Sequence, residues 1–235
     1  MQTNVVSGVL VNVQLTDRLG SVLPLYWHNG RYYVEASDMQ EYRLRVRSLV
    51  SGRLEVLTAV DGLNTLLTEE ANVYTNSGMV ISDHSLYEVK GWRINDQQTR
   101  PFVFTSLDEE AVAKQMTNSS SNLGVIAIAV YREYEIPLTY NNLRSGPQAK
   151  SLGFESLTRG AGMGTGMGNR VDRDVVGHTT FRRATSSPDQ VVQIFAMPKW
   201  WLEREGVLTA DLRDRNHPNG FPGSDTGYNR FKKIG

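Results

Sequence analysis

The side chains able to act as metal ligands or nucleophiles are scattered along this chain of 235 residues. The histidines are His28, His84, His178 and His217. None of them has the short spacing that places two imidazoles on one face of a strand or helix, as a metal pair requires. The chain also contains no Gly-x-Ser-x-Gly nucleophile elbow and no cysteine. These patterns predict no metal site, no cofactor and no catalytic residue.

Acidic residues leave one enzymatic alternative open. A hydrolase of the glycosidase type needs two carboxylates that flank the scissile bond. The candidate acids are Asp61, Glu69, Glu70, Asp83 and Asp108. Asp108 also opens an Asp-Glu-Glu run at 108–110, where acids at a helix start interact favourably with the helix dipole. The helix role is favoured there, and a hydrolase with an unrecognised site stays an alternative.

Glycine occurs at every second position from 160 to 168. A phosphate-binding loop would set such glycines between a strand and a helix, but Asn-Arg-Val-Asp-Arg-Asp follows at 169–174. Glycine also frees the backbone and permits its close approach to another surface. We therefore predict that Gly162, Gly164 and Gly166 contact a partner protein.

Three arginines alternate along one predicted strand. Arg43, Arg45 and Arg47 share one strand face, because successive side chains point to opposite sides. This face is either a solvated edge protected by charge or a positive stripe that binds an acidic neighbour. Because 25 basic and 25 acidic residues cancel, we favour a protein partner over nucleic acid.

Aromatic residues offer a second kind of contact. Six rings are candidates for a platform that stacks on sugar rings or for contact anchors, although most such rings belong to cores. They are Trp27, Tyr32, Tyr33, Trp92, Trp200 and Trp201. Trp200 and Trp201 are adjacent on a predicted helix, where neighbouring side chains point about 100 degrees apart. One of the two is predicted to face another subunit, since tryptophan is favoured at interface centres.

Alternating apolar and polar residues dominate the first part of the chain and predict β-strands. The predicted strands cover 5–15, 23–27, 31–35, 42–48, 53–60, 86–93, 101–105, 123–131 and 190–195. Hairpins are predicted at Asn29-Gly30 and across Ser51-Gly52, and helices at 108–116 and 198–205. Residues 123–131 are apolar on both faces, so this strand is predicted to be central. The predicted fold is all-β: an antiparallel β-sandwich of jelly-roll or immunoglobulin type with two short helices.

Composition divides the chain into four regions. Residues 1–140 are predicted to form the sandwich core, and 179–210 to complete it with strands and a short helix. Residues 141–178 are rich in Gly, Asn, Ser and Arg, and 211–235 are polar with Asn, Pro and Gly. These two regions are predicted to be arms that a partner orders. Phe231 in the second arm is a predicted partner contact.

No apolar run approaches the roughly 20 residues of a membrane helix, and the first residues, Met-Gln-Thr-Asn, show no signal-peptide pattern. We therefore expect synthesis in a cytoplasm and no membrane partner.

Several motifs together resemble a known group of proteins. They are Tyr-Arg-Leu-Arg-Val-Arg at 42–47, Val-Asp-Gly-Leu-Asn at 60–64, Gly-Trp-Arg at 91–93, Phe-Val-Phe at 102–104, Asn-Leu-Gly-Val-Ile-Ala-Ile-Ala-Val at 122–130, and Gly-Thr-Gly-Met-Gly at 164–168 before Phe-Arg-Arg at 181–183. In this order the chain resembles an uncharacterised family of β proteins from bacterial and tailed-phage genomes. That family usually carries histidine where this chain has Met167, so any chemistry of that histidine is absent here.

The resemblance implies a phage association and transfers no catalytic residue. With the predicted arms and contact faces, it predicts a structural protein of a virion, most specifically capsid decoration or another head or tail accessory role. Its expected partners are other virion proteins and copies of itself. A carbohydrate-binding β-sandwich is the main alternative.

Overall fold

The protein is described by a computed structural model covering residues 1–106, 110–118, 120–135, 162–168, 172–173 and 177–208. The strands are β1 (Gln2–Thr3), β2 (Val6–Ser7), β3 (Val11–Asp17), β4 (Leu25–His28), β5 (Arg31–Glu35), β6 (Glu41–Ser48), β7 (Leu54–Val60), β8 (Leu63–Asn64), β9 (Met79–Ile81), β10 (Leu86–Val89), β11 (Gly91–Asn95), β12 (Gln98–Thr105), β13 (Val125–Arg132), β14 (Gly164–Met167), β15 (Asp172–Arg173) and β16 (Gln190–Met197). The helices are α1 (Val112–Thr117) and α2 (Lys199–Arg204).

The described strands form two sheets. Sheet I has the order β1-β4-β5-β16-β13-β7-β8, with β9 also paired to β7. Sheet II has the order β11-β12-β6-β3-β2, with β10 paired to β6 and both β14 and β15 paired to β12. Pairing is antiparallel except between β16 and β5, which run parallel. The all-β sandwich with two short helices is therefore confirmed, with this one parallel pair as a departure from the predicted antiparallel pattern.

One apolar core lies between the sheets. It joins Val13 of β3 and Leu44 of β6, from sheet II, with Val56, Ile128 and residues of β16, from sheet I. In β6 the alternation works as predicted, since Tyr42, Leu44 and Val46 are buried while the intervening arginines are not. Strand β13 lies between β7 and β16, which confirms the predicted central strand.

Strand β7 departs from the alternation that its sequence suggests. All seven of its residues are buried, because its outer face is also covered. There Leu57 packs with Ala129 and Tyr131 in a second cluster, against which Val73 and Phe181 lie. A strand in this position has no solvated face.

The turn at Asn29-Gly30 is a hairpin as predicted. It links His28 to its partner Arg31, and both turn residues have positive φ, 47° and 79°. Two-residue hairpins with positive φ at both positions match the twist of the strands and favour this dipeptide. Asp61-Gly62 does the same between β7 and β8, with φ of 52° and 83°.

Three sequence predictions of strand connection are wrong. The hairpin across Ser51-Gly52 does not form, because β6 pairs within sheet II whereas β7 pairs within sheet I. The predicted strand 86–93 divides into β10, which pairs with β6, and β11, which pairs with β12. The predicted strand 5–15 also divides, and its two parts, β2 and β3, pair with each other. Local alternation cannot specify which distant strand is the partner.

Both predicted helices are present, with different accuracy. α2 follows Pro198 and is succeeded by Gly206 at φ 70°, as its sequence indicates. α1 begins at Val112, four residues after its predicted start, and its N-cap Ala111 makes no side-chain capping bond. Asp108 and Glu109 lie outside the described residues.

Candidate functional site

The glycine-rich strand β14 connects the two sheets. It pairs with β12 over four residues, from Phe102↔Met167 to Thr105↔Gly164, at the border of sheet II. Just before it, the Met163 amide donates to the Ala196 carbonyl at the end of β16, in sheet I, at 3.0 Å. The composition of the sequence predicts an arm here, but residues 162–168 pack within this chain's own fold.

The glycines of this segment are required by close backbone approach. A Cβ at Gly162 would lie 2.3 Å from the Leu123 carbonyl oxygen, and one at Gly164 would lie 2.7 Å from the Ala111 Cβ. A Cβ at Gly166 would meet nothing nearer than 3.4 Å. Gly164 and Gly166 are buried by contacts within this chain, and their contact with a partner stays a prediction.

Asp61 binds the glycine-rich strand from the other side. Its Oδ1 accepts a hydrogen bond from the Gly124 amide at 2.8 Å, and its Oδ2 accepts one from the Thr165 amide at 2.5 Å. The residue is only 3% exposed. One carboxyl group thus joins the β7–β8 turn, the turn before β13, and β14.

The environment of Asp61 changes its protonation. Burial raises the pKa of Asp61 to about 7, against the opposing effect of the two backbone hydrogen bonds, which lower it. Removing a carboxylate from water disfavours its charged form, whereas N–H donors favour it. Near neutral pH this group therefore holds or releases a proton inside the fold, which is the main chemical capacity of the cluster.

Tyr42 completes the cluster from β6. Its hydroxyl forms a 2.8 Å hydrogen bond with Thr165 Oγ1, and its ring stacks on Phe104 with centroids 4.1 Å apart. Burial raises the pKa of Tyr42 well above its usual value, and the Asp61 charge adds to this effect. Trp92 Nε1 donates to the Gly166 carbonyl at 3.2 Å. The polar atoms of β14 are therefore bonded to side chains of both sheets.

The predicted arginine row is present on the outer face of sheet II. Arg43 and Arg45 each bind the carboxylate of Glu88, at 3.2 Å and 2.9 Å. Arg47 follows on the same face and is exposed. Its cross-strand neighbours are Asn12 and Leu86, neither of which carries a charge. The row therefore presents more positive than negative charge, although two of its members are bound within the sheet.

The two adjacent tryptophans have different environments. Trp201 is buried in a cluster on the outer face of sheet I, with its ring centroid 5.6 Å from that of Tyr33. Trp200 is 56% exposed, and Arg204 lies over its ring at 5.1 Å. The buried indole fixes α2 on the sheet, so the backbone that carries the exposed one is held in a defined position.

The sugar-stacking candidates also separate. Trp92 is fully buried, with its ring against Phe102, so it cannot stack on a ligand in this structure. Tyr33 is buried as well, beneath α2. Trp27 is 42% exposed and its ring centroid lies 4.6 Å from that of Tyr32. This pair and the exposed Trp200 are what the structure leaves of the predicted platform.

Besides Asp61, two of the acids considered for hydrolysis have structural partners. Glu69 accepts from the Asn76 amide group at 2.8 Å, and Asp83 accepts from the Gly52 amide at 2.8 Å.

Within the described ranges, no cluster of three or more histidines and acids could hold a metal ion. None of the helices in those ranges is long and apolar enough to span a membrane. Asp108 and Phe231 lie outside the described residues, as does the whole of 209–235.

Sequence reasoning missed the role of Asp61. The Asp-Gly pair after a predicted strand indicates a turn at 61–62, but nothing in the sequence shows that the glycine-rich segment packs against that turn.

Comparisons of the chain with protein-family models, curated proteins and solved structures found no match.

Proposed function

We propose that this protein is a structural component of a phage particle, most specifically a capsid decoration protein, and that it works through contacts with virion proteins and with copies of itself. The observation that carries the proposal is Trp200, which is exposed on α2 and fixed beside the buried Trp201. Tryptophan and arginine are enriched among the residues that dominate binding energy at interfaces. Because α2 is already fixed on the sheet by Trp201, the backbone at Trp200 needs no ordering on binding.

The arginine row of sheet II supports a second contact, with an acidic neighbour. Arg47 is exposed, and Arg43 and Arg45 share one carboxylate between them. Complementary charge raises association rates and selects the partner more than it raises affinity. The row therefore suits a surface with exposed carboxylates, on another virion protein or on another copy.

The test is incorporation into particles. A host carrying a phage genome with this gene is induced, particles are purified on a density gradient, and the chain is quantified by mass spectrometry. We expect a fixed copy number per particle for the wild type, and a loss of at least tenfold for Trp200→Ala, which corresponds to about 1.4 kcal/mol of binding energy. A chain that stays in the soluble fraction would overturn the proposal.

A carbohydrate-binding module is the second candidate, carried by the exposed Trp27 beside Tyr32. A tryptophan face can stack on a sugar ring, and its neighbour can widen the platform. A glycan array tests whether the protein binds carbohydrate. This candidate predicts binding that Trp27→Ala abolishes and Trp200→Ala leaves intact, so each variant serves as the control for the other proposal. Thermal melting verifies that both variants are folded.

A further inference from the structure

Asp61 holds the glycine-rich strand to sheet I. Strand β14 belongs to sheet II through its pairing with β12. Its links toward sheet I are the Thr165 amide bond to Asp61 and the Met163 amide bond to Ala196. The other oxygen of Asp61 is bound to Gly124, at the start of the central strand. The carboxyl group thus stands at the junction of both sheets.

We propose that Asp61 is a proton-controlled latch: its neutral carboxyl keeps residues 162–168 closed against sheet I, and loss of the proton favours their local opening. This inference concerns a switch in the fold and does not depend on the proposed virion role.

The charged form of Asp61 is poorly compensated in the closed state. The carboxyl is 3% exposed, and its described partners are two neutral backbone amides. Opening of β14 would let water reach the group. Because burial raises its pKa from 3.8 to about 7, the closed state binds the proton more tightly than the open, hydrated state does. Closure is therefore most favoured below about pH 4, weakens as pH rises toward 7, and changes little above that.

Among the residues that the structure describes, few other titratable groups face this junction. Residues 122–130 and 162–168 contain none. From β6, Tyr42 faces Thr165 and stays neutral in this range, since burial raises its pKa well above the usual value. The other charged residues of β6 alternate to the opposite face of sheet II. On the α1 side, Glu110 directs its carboxylate to Thr105 Oγ1 at 3.0 Å. Asp61 is thus the group that dominates titration at this junction.

Opening would disrupt mainly backbone contacts. Gly162 and Gly164 meet their neighbours without side chains, and Met163 is the large buried side chain of the segment. The same opening would expose the β12 backbone at 102–105 and the Nε1 of Trp92. The latch therefore controls access to a strand edge, and an exposed edge can accept a strand from another chain.

Amide hydrogen exchange tests the latch in the full-length chain. Protection factors are used, because they remove the intrinsic effect of pH on exchange rates. From about pH 5 to about pH 8, protection of residues 163–168 is expected to fall by about two orders of magnitude. Amides of β13 at 126–130 serve as the internal control: because core amides exchange through global unfolding, they are expected to stay more protected than 163–168 at every pH.

Two variants separate the latch from a general loss of packing. Asp61→Asn removes the titration, so the pH dependence at 163–168 should disappear. Tyr42→Phe removes only the hydroxyl contact to Thr165 and should keep the dependence. The proposal is overturned if wild-type protection at 163–168 does not vary with pH, or if it equals that of β13 at every pH, which would show that the segment opens only when the whole fold unfolds. That wild-type comparison decides the matter even if Asp61→Asn does not fold.

Discussion

Two buried carboxylates in this molecule, Asp61 and Glu55, are neutralised in different ways. Glu55 binds the Arg183 guanidinium at 2.6 Å and also accepts from the Gly78 amide at 2.7 Å. Arg183 further donates to the carbonyls of Val73 and Asn76, and lies over the Tyr131 ring at 3.8 Å. Asp61 has two backbone amides and no cation among its described partners.

The difference teaches what a cation adds to close backbone contact. Both carboxylates lie where backbones approach closely, since a Cβ at Gly78 would lie 2.4 Å from the Val56 carbonyl oxygen. Among the described partners, a long arginine side chain reaches Glu55 and none reaches Asp61. Backbone amides reach Asp61 only if the chain itself comes close, and this requires glycine at 162 and 164. Arg183 supplies a positive charge to Glu55 and makes a fixed ion pair. The backbone amides supply no charge to Asp61 and leave a carboxyl group that exchanges its proton near neutral pH.

Removing the cation should have the largest effect. Arg183→Met leaves Glu55 buried without its partner charge, and we expect a loss of about 3–5 kcal/mol in the free energy of unfolding. Urea denaturation at neutral pH measures it. Arg53→Met is the matched control, because Arg53 pairs with Glu133 near the surface and such pairs contribute about 1 kcal/mol or less. Equal losses in the two variants would contradict the contrast.

Removing the proton-binding group should have a smaller effect that depends on pH. Between about pH 5 and pH 8, the stability of the wild type relative to Asp61→Asn should fall by about 2–3 kcal/mol, because the native state binds the proton more tightly than the unfolded chain does. Denaturation of both proteins across this range gives the difference. A constant difference would show that Asp61 does not titrate in the folded protein.

Filling the close approach should have the smallest effect. Gly164→Ala places a methyl group against Ala111, and overpacking of this kind costs about 1–3 kcal/mol. Gly166→Ala, in the same strand, meets only ordinary contacts and should leave stability unchanged or raise it by about 1 kcal/mol at most, because alanine restricts the unfolded chain. Thermal melting of the two variants compares them. Our account of β14 fails if Gly166→Ala is the more harmful.

The sequence predicted local structure better than connections. The alternation in β6 correctly placed Tyr42 inside and the arginines outside, and Asn29-Gly30 correctly indicated a hairpin. Alternation could not show that β6 and β7 belong to different sheets, because that depends on strands far away in the chain. The burial of Glu55 in β7 was equally hidden, since Arg183 lies 128 residues further on.

The candidate site was predicted in part. Arg47 and Trp200 are exposed, as residues predicted to meet partners must be, and Trp201 proved to be core. The glycines were recognised as permitting close approach, but the surface that they approach belongs to this chain. A glycine indicates that the backbone can approach another group closely, but it does not identify that group.

The place of β16 in sheet I has a consequence for biosynthesis. This strand lies between β5 and β13 and joins both, while the Gln190 side chain at its start bonds the backbone of Leu10 and Val11. The amino-terminal strands of sheet I emerge from the ribosome long before this central neighbour. Until residue 197 has been translated, they remain separated from β13 and expose unpaired backbone. A nascent chain stalled before that point should therefore recruit chaperones and be cut readily by proteases.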